Sequence, residues 1–200
     1  GDVYKRQKFL KSQYHPHFLF NALNTVYFQI DESNKAPRRT LEMISELLRY
    51  QLYGGNQKVS ILQEIDYLKT YIALRKLRMS ERLRLRVEFP PELNELNIYP
   101  LLFLPLVENA FKYVGGDYQL DIIMKWENNR ISLFIRNSIP ELSAEDEALR
   151  KSVDERQRKG IGLVNLRRRL SLLYPNKHRL ETRKEETEFV AELMIEIEDI

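Results

Sequence analysis

The sequence predicts an α+β chain in which a helical hairpin precedes helices packed on one side of a mixed, mostly antiparallel sheet. Three observations carry this expectation. Apolar residues recur at helical spacing through the first third of the chain, Gly and Pro punctuate that pattern, and beyond about residue 83 short alternating segments intersperse with two further helical ones.

Residues 9–30 read as the first helix, with Leu19, Leu23, Val26 and Ile30 on one face and residues 31–37 (DESNKAP) as the break after it. Leu41, Ile44, Leu48 and Leu52 mark the buried face of a second helix, stopped by Gly54 and Gly55. Such a hairpin has too little core to stand alone, so its apolar faces are expected to pack against another chain in a four-helix bundle. Residues 60–79 form the third helix, with Ser60 as N-cap, Glu64 near the first turn, and Ile61, Ile65, Leu68 and Ile72 at 4-3-4 spacing. Residues 83–89 alternate as a strand ended by Pro90 and Pro91. A helix over 100–113, strands over 118–126 and 130–137, a helix over 162–174 and strands over 178–183 and 188–197 complete the chain. There is no internal repeat.

Composition narrows the function classes. The 200 residues include 32 Lys or Arg and 29 Asp or Glu, a net charge of +3 that does not by itself point to nucleic acid. The absence of cysteine excludes a disulfide framework and suits a reducing, cytosolic setting. No apolar run approaches the roughly 18 to 20 residues that cross a bilayer. Residues 1–7 (GDVYKRQ) read as a non-native end, with an upstream part of the protein expected beyond it.

The densest chemical signal is residues 15–24, HPHFLFNALN, which place His17 in an amphipathic helix directly after Pro16. A proline inside a helix removes a hydrogen bond and costs about 3 kcal/mol, so either a function justifies it or Pro16 is the first helical residue. Gln13, His17 and Asn21 lie four apart, so two amides flank the imidazole on one face and can orient it while leaving it open to a reactant. His15 and His17 diverge on a helix and His178 is distant, which argues against a histidine metal site.

A second site is residues 105–113, PLVENAFKY, where Glu108, Asn109 and Lys112 interrupt an apolar helix. Asn109 and Lys112 share a face; an amide oxygen can coordinate a hard cation such as Mg2+, and a lysine can meet phosphate oxygens as a point charge. Routine solvent-facing polar residues would give the same pattern. The third site, residues 159–163 (KGIGL), leads into a helix whose free N–H groups could receive phosphate. Before it, residues 138–158 are polar and charged, and read as a solvated loop or as a lid over a nucleotide.

In this order the sites resemble the LytS-type family of bacterial sensor histidine kinases, in which a PHFLFN phosphoacceptor helix precedes a GHKL (Bergerat-type) ATP-binding domain. The resemblance runs over residues 9–197 and is strongest at QYHPHFLFNALN (13–24), LLRYQLY (47–53), PLVENAFKY (105–113) and GIGLVNLRRRL (160–170). It implies a dimerisation and phosphotransfer region over 8–80 and an α/β-sandwich catalytic domain over 81–200. By the same resemblance His17 is the phosphoacceptor, oriented by Gln13 and Asn21. Asn109 binds Mg2+, with Glu108, Lys112 and Tyr113 beside it, and Gly160, Ile161, Gly162 and Leu163 close on the triphosphate of ATP. Asn137 corresponds to the asparagine of the DNG motif. The implied partners are a second copy of the chain and a response regulator, in this family often one with a LytTR DNA-binding domain. The implied location is the cytoplasmic side of an inner-membrane protein, anchored through the upstream region.

Three departures stand out. His15 occupies a position where many relatives carry asparagine. Arg136-Asn137-Ser138 replaces Asp-Asn-Gly, which removes the aspartate expected to read the adenine amino group. No carboxylate follows His17 directly. The second departure leaves a rival reading, a non-catalytic dimeric scaffold that docks a regulator. A nucleic-acid binder built on Arg167, Arg168 and Arg169 is the weaker rival, since one basic turn is more often a solvated face.

Overall fold

The computed structural model describes residues 16–53, 57–91, 93, 96–141 and 161–197. Gln13, His15, Gly54, Gly55, Gly160, residues 1–7 and nearly all of segment 138–158 lie outside the described residues.

Helices α1 (Pro16–Gln29) and α2 (Lys35–Tyr53) form the expected hairpin. Its turn is shorter than the sequence suggested, because α2 already begins at Lys35 and takes Pro37 into its first turn, where a missing N–H leaves no intrahelical bond unmade. Asp31 organises the turn by accepting from the Ser33 N–H at 2.8 Å. The Arg38 guanidinium donates twice to the Ile30 carbonyl, at 2.8 and 3.0 Å, supplying a partner at the end of α1. Arg38 also lies over the Tyr27 ring and Arg49 over Phe20, so cation–π contacts tie α1 to α2.

α1 has no buried residue, and Phe18 and Phe28 are 74% and 77% exposed. On α2 the buried residues are Met43 and Leu47, while the expected stripe of Leu41, Ile44, Leu48 and Leu52 is half-buried. The difference has a physical cause. Leu47 packs with Tyr67 and Leu104 of the following helices, in a small apolar cluster that also takes in Tyr50 and Leu101.

β1 (Val59–Ser60) pairs antiparallel with β3 (Asn97–Ile98), a short ribbon that the sequence reading missed because two residues show no periodicity. Ser60 then starts α3 (Ile61–Lys76) with a capping box: its Oγ accepts from the Leu62 N–H, and the Gln63 side chain accepts from the Ser60 N–H. Ile61, Ile65, Leu68 and Ile72 are all buried, as their spacing required.

The main sheet has the order β2-β4-β5-β7-β6, formed by β2 (Arg84–Glu88), β4 (Gln119–Glu127), β5 (Arg130–Ser138), β6 (His178–Lys184) and β7 (Glu188–Glu196). Only the β2–β4 pairing is parallel, which matches the expected mixed, mostly antiparallel sheet. Asn128 and Asn129 both take positive φ, the pair of left-handed residues that a tight β4–β5 hairpin demands. Ile131, Leu133 and Ile135 alternate along β5 into the core, where they join residues of α3, of α4 (Leu104–Tyr113) and of α5 (Ile161–Leu173). α4 begins four residues later than expected. Leu101 sits at φ 60°, a left-handed conformation that stops any helix running from Pro100.

Candidate functional site

His17 stands on the exposed side of α1, and the amide nitrogen of Asn21, one turn along, lies 3.2 Å from its Nδ1. The four-residue spacing that places these side chains together is intrinsic to a helix. Which of the two groups carries the hydrogen depends on the imidazole tautomer and on which end of the amide faces the ring. When Asn21 turns its oxygen toward the ring, it accepts from Nδ1–H and leaves the Nε2 lone pair free. Asn21 is itself kept in helix register, with its carbonyl accepting from Thr25 Oγ1 at 2.9 Å.

α4 divides cleanly. Leu104, Leu106, Val107, Ala110 and Phe111 are buried in the core, so Glu108, Asn109 and Lys112 fall on the opposite, outward side. Pro105 at the second helical position sets the start without costing a hydrogen bond. Lys112 Nζ rests 5.1 Å from the centre of the Tyr113 ring. Partial desolvation pushes the Glu108 carboxyl above its ordinary value, against the opposing pull of the Arg75 charge. Among the described residues no group of three His, Cys, Asp or Glu could hold a metal ion. A cation at Asn109 would therefore take most of its oxygens from phosphate and water, the usual habit of Mg2+.

α5 opens at Ile161, and Gly162 is exposed: a Cβ placed there would meet no atom within 4 Å. The first N–H groups of a helix have no intrahelical partner, which leaves this turn the chemistry to receive an anion. Leu163 packs against the main core and anchors the turn, while Asn165 is exposed. α4 and α5 are neighbours in contact, and Leu166 and Leu170 of α5 join Leu106, Val107, Ala110 and Phe111 of α4 in one core region. His17 is not joined to that region: its hydrogen-bond partner among the described residues is Asn21 alone.

The Arg136-Asn137-Ser138 departure has a definite structural content. Arg136 points away from the helices and donates to Asp121 Oδ2 of the adjacent strand, from Nε at 2.9 Å and Nη2 at 2.6 Å. Asn137, 1% exposed, continues the inward alternation of Ile131, Leu133 and Ile135. Ser138 Oγ donates to the Gly115 carbonyl at 2.6 Å and accepts from the Gln119 N–H at 2.9 Å, fastening the end of β5 to the loop after α4. Gly115 lies so close to Pro140 that a Cβ would come within 2.8 Å of it. The inward residue of this motif is thus Asn137, and position 136 serves the outer face of the sheet.

Sequence reasoning missed the most buried carboxyl group among the described residues. Glu64, read as a first-turn helix carboxylate, is fully buried. Its Oε1 accepts from the Tyr50 hydroxyl at 2.6 Å and from the Leu101 N–H at 2.8 Å. The signal was present in the spacing, since Glu64 lies three residues after Ile61 and four before Leu68, on the buried face.

Residues 5–83 match the family described as Histidine kinase. The chain is similar to the sensor protein kinase HptS of Staphylococcus aureus, strains USA300 and MRSA252 alike, at 29% identity over 178 residues, covering 86% of this chain and 34% of the relative. It therefore spans about a third of the length of the curated relatives it matches. Among solved structures it is similar to the Acinetobacter baumannii histidine kinase AdeS, with 13% identity, TM-score 0.46, and coverage of 92% of this chain and 96% of that one. The mycobacterial sensor histidine kinase MprB gives 14% identity and TM-score 0.47, over 73% of this chain and 100% of that one. Over the hairpin, the third helix and the segment around His17, the chain carries the sequence pattern of the histidine kinase family.

Proposed function

We propose that this chain is the kinase core of a LytS-type sensor histidine kinase, which transfers the γ-phosphoryl group of ATP to His17 and from there to an aspartate of a response regulator. The observation that carries the reading is the His17–Asn21 pair, an exposed imidazole with one nitrogen engaged and the other open.

In the productive tautomer Asn21 Oδ1 accepts from Nδ1–H, and the Nε2 lone pair attacks the γ-phosphorus in line. The P–N bond forms as the bond to the β,γ-bridging oxygen breaks, and ADP leaves with that electron pair. The imidazolium produced gives its Nδ1 proton to solvent, which reaches the exposed ring, with Asn21 beside it throughout. Transfer to the regulator exchanges the P–N bond for an acyl phosphate on the aspartate and restores His17. Lys112 and the N–H groups at the opening of α5 offset negative charge on the phosphates. Mg2+, held by Asn109, would supply further neutralisation of the phosphate oxygens. Gln13 would complete the orienting pair around His17, Gly160 would extend the α5 turn around the phosphates, and Asn137 would stand at the inner wall of the nucleotide site.

The half-buried stripe of α2 and the bare face of α1 support a homodimer through a four-helix bundle. The regulator would carry a LytTR output domain, and the kinase would lie on the cytoplasmic side of a membrane held by a region upstream. No described helix is long and apolar enough to cross a membrane. Incubation of purified chain with MgATP should yield an acid-labile phosphate on His17; a chain that binds MgATP yet never acquires one would overturn the reading.

A further inference from the structure

The hairpin and the sheet domain meet at one buried carboxylate. Glu64 of α3 receives the Tyr50 hydroxyl from α2 and the backbone N–H of Leu101, both on Oε1, while Oε2 has no hydrogen-bond partner among the described residues. Leu101 is the left-handed residue three positions before α4, and its carbonyl accepts from Arg169 of α5 at 3.4 Å. A leucine adopts φ 60° only where its surroundings impose it, and here both of its backbone polar groups are held. Close by, the Gln51 amide donates to the Tyr67 hydroxyl at 2.6 Å, and the Tyr50 and Tyr67 rings stack at 4.8 Å. The carboxylate thus touches the hairpin helix and the entry to α4 directly, and reaches α5 through Leu101.

We propose that Glu64 is a positioning residue for phosphoryl transfer: it fixes the strained entry to α4, and through Tyr50 it sets that helix and α5 relative to the hairpin that carries His17. The inference rests on the kinase reading above. It assigns to Tyr50 and Glu64 a geometric role separate from nucleotide binding, because neither side chain lies on the outward face of α4 or in the opening turn of α5. The Tyr50 hydroxyl is the hairpin's end of this link, and its removal leaves the ring stack and the apolar cluster in place.

The test uses the full chain, whose lack of cysteine permits spin labels at Arg39→Cys and Leu172→Cys, both exposed. Tyr50→Phe and Glu64→Ala should broaden the distance distribution between the labels, whereas Glu64→Gln, which keeps an acceptor oxygen, should preserve it. In kinetics, Tyr50→Phe should lower the kcat of His17 phosphorylation about tenfold with the KM for MgATP within about twofold, the signature of misplaced reactants. A narrow, wild-type distribution in both Tyr50→Phe and Glu64→Ala, or a wild-type kcat in Tyr50→Phe, would overturn the proposal. Absence of His17 phosphate in the wild type would instead remove the kinase reading, and the label distances would still decide whether Glu64 holds the two parts together.

Discussion

Asn21 holds His17 by its Nδ1 edge, at 3.2 Å across one helical turn, which presents the Nε2 edge to the outside. A nucleophilic imidazole must have its proton on one nitrogen and its lone pair on the other, and a neighbouring amide fixes which is which. Asn21→Ala should therefore lower the rate of His17 phosphorylation by about tenfold, by analogy with the loss of one orienting hydrogen bond, and leave MgATP affinity unchanged. Single-turnover phosphorylation beside equilibrium nucleotide binding separates the two; an unaltered rate would remove Asn21 from the mechanism.

In the proposed mechanism, Lys112 and Asn109 of α4 divide the work of binding and charge neutralisation. Lys112→Ala should weaken MgATP binding by about tenfold, the worth of a charge-assisted contact of about 1.4 kcal/mol, at unchanged helix content. Asn109→Ala should abolish transfer and remove the dependence of nucleotide affinity on Mg2+. Calorimetric titrations with and without Mg2+ read both effects, and an Asn109→Ala protein whose affinity still rises with Mg2+ would contradict the metal assignment.

The pair Arg136–Asp121 predicts stability. Asp121 is 4% exposed, and Arg136 supplies its two shortest hydrogen bonds, with the Gln119 amide a third donor at 3.4 Å. Arg136→Ala strands this carboxylate and should cost about 2 kcal/mol, measured by denaturant unfolding. The double variant with Asp121→Ala should recover part of that loss, since the stranded charge is then gone. Arg136→Ala should leave nucleotide affinity unchanged, because its side chain lies on the face of the sheet away from the helices.

Glu64 gives the chain a pH dependence whose sign follows from burial. Desolvation pushes its carboxyl above the ordinary value of 4.5, in spite of the hydrogen bonds from Tyr50 and Leu101 and the charge of Arg169. A carboxyl raised by folding binds its proton more tightly in the native state, so its contribution is fully present below 4.5 and is lost as pH rises through the folded value. Wild type should therefore lose stability relative to Glu64→Gln as the pH rises above 4.5 and through the folded value. Unfolding titrations across that range test the claim, and parallel curves for the two proteins would contradict it.

Much of the fold was legible because apolar spacing determines which faces meet. The buried set Ile61, Ile65, Leu68 and Ile72 and the alternation of Ile131, Leu133 and Ile135 follow from periods of 3.6 and 2. The outward placement of Glu108, Asn109 and Lys112 was readable for the same reason. What escaped depends on tertiary contacts. Leu101 takes a left-handed conformation that no propensity assigns to leucine, and it does so between Glu64 and Arg169, far apart in sequence. The β1–β3 ribbon is too short for any period to register. Motif matching alone does not show that Arg136 faces outward and Asn137 inward, which follows from the reversal of face at each one-residue step along a strand.

The most direct measurement is mass analysis with an acid-lability assay after incubation with MgATP, on wild type, His17→Gln and His15→Gln. The account predicts one acid-labile phosphate on wild type and on His15→Gln and none on His17→Gln. Phosphate that persists in His17→Gln, or is lost only in His15→Gln, would contradict the assignment of His17 as the acceptor.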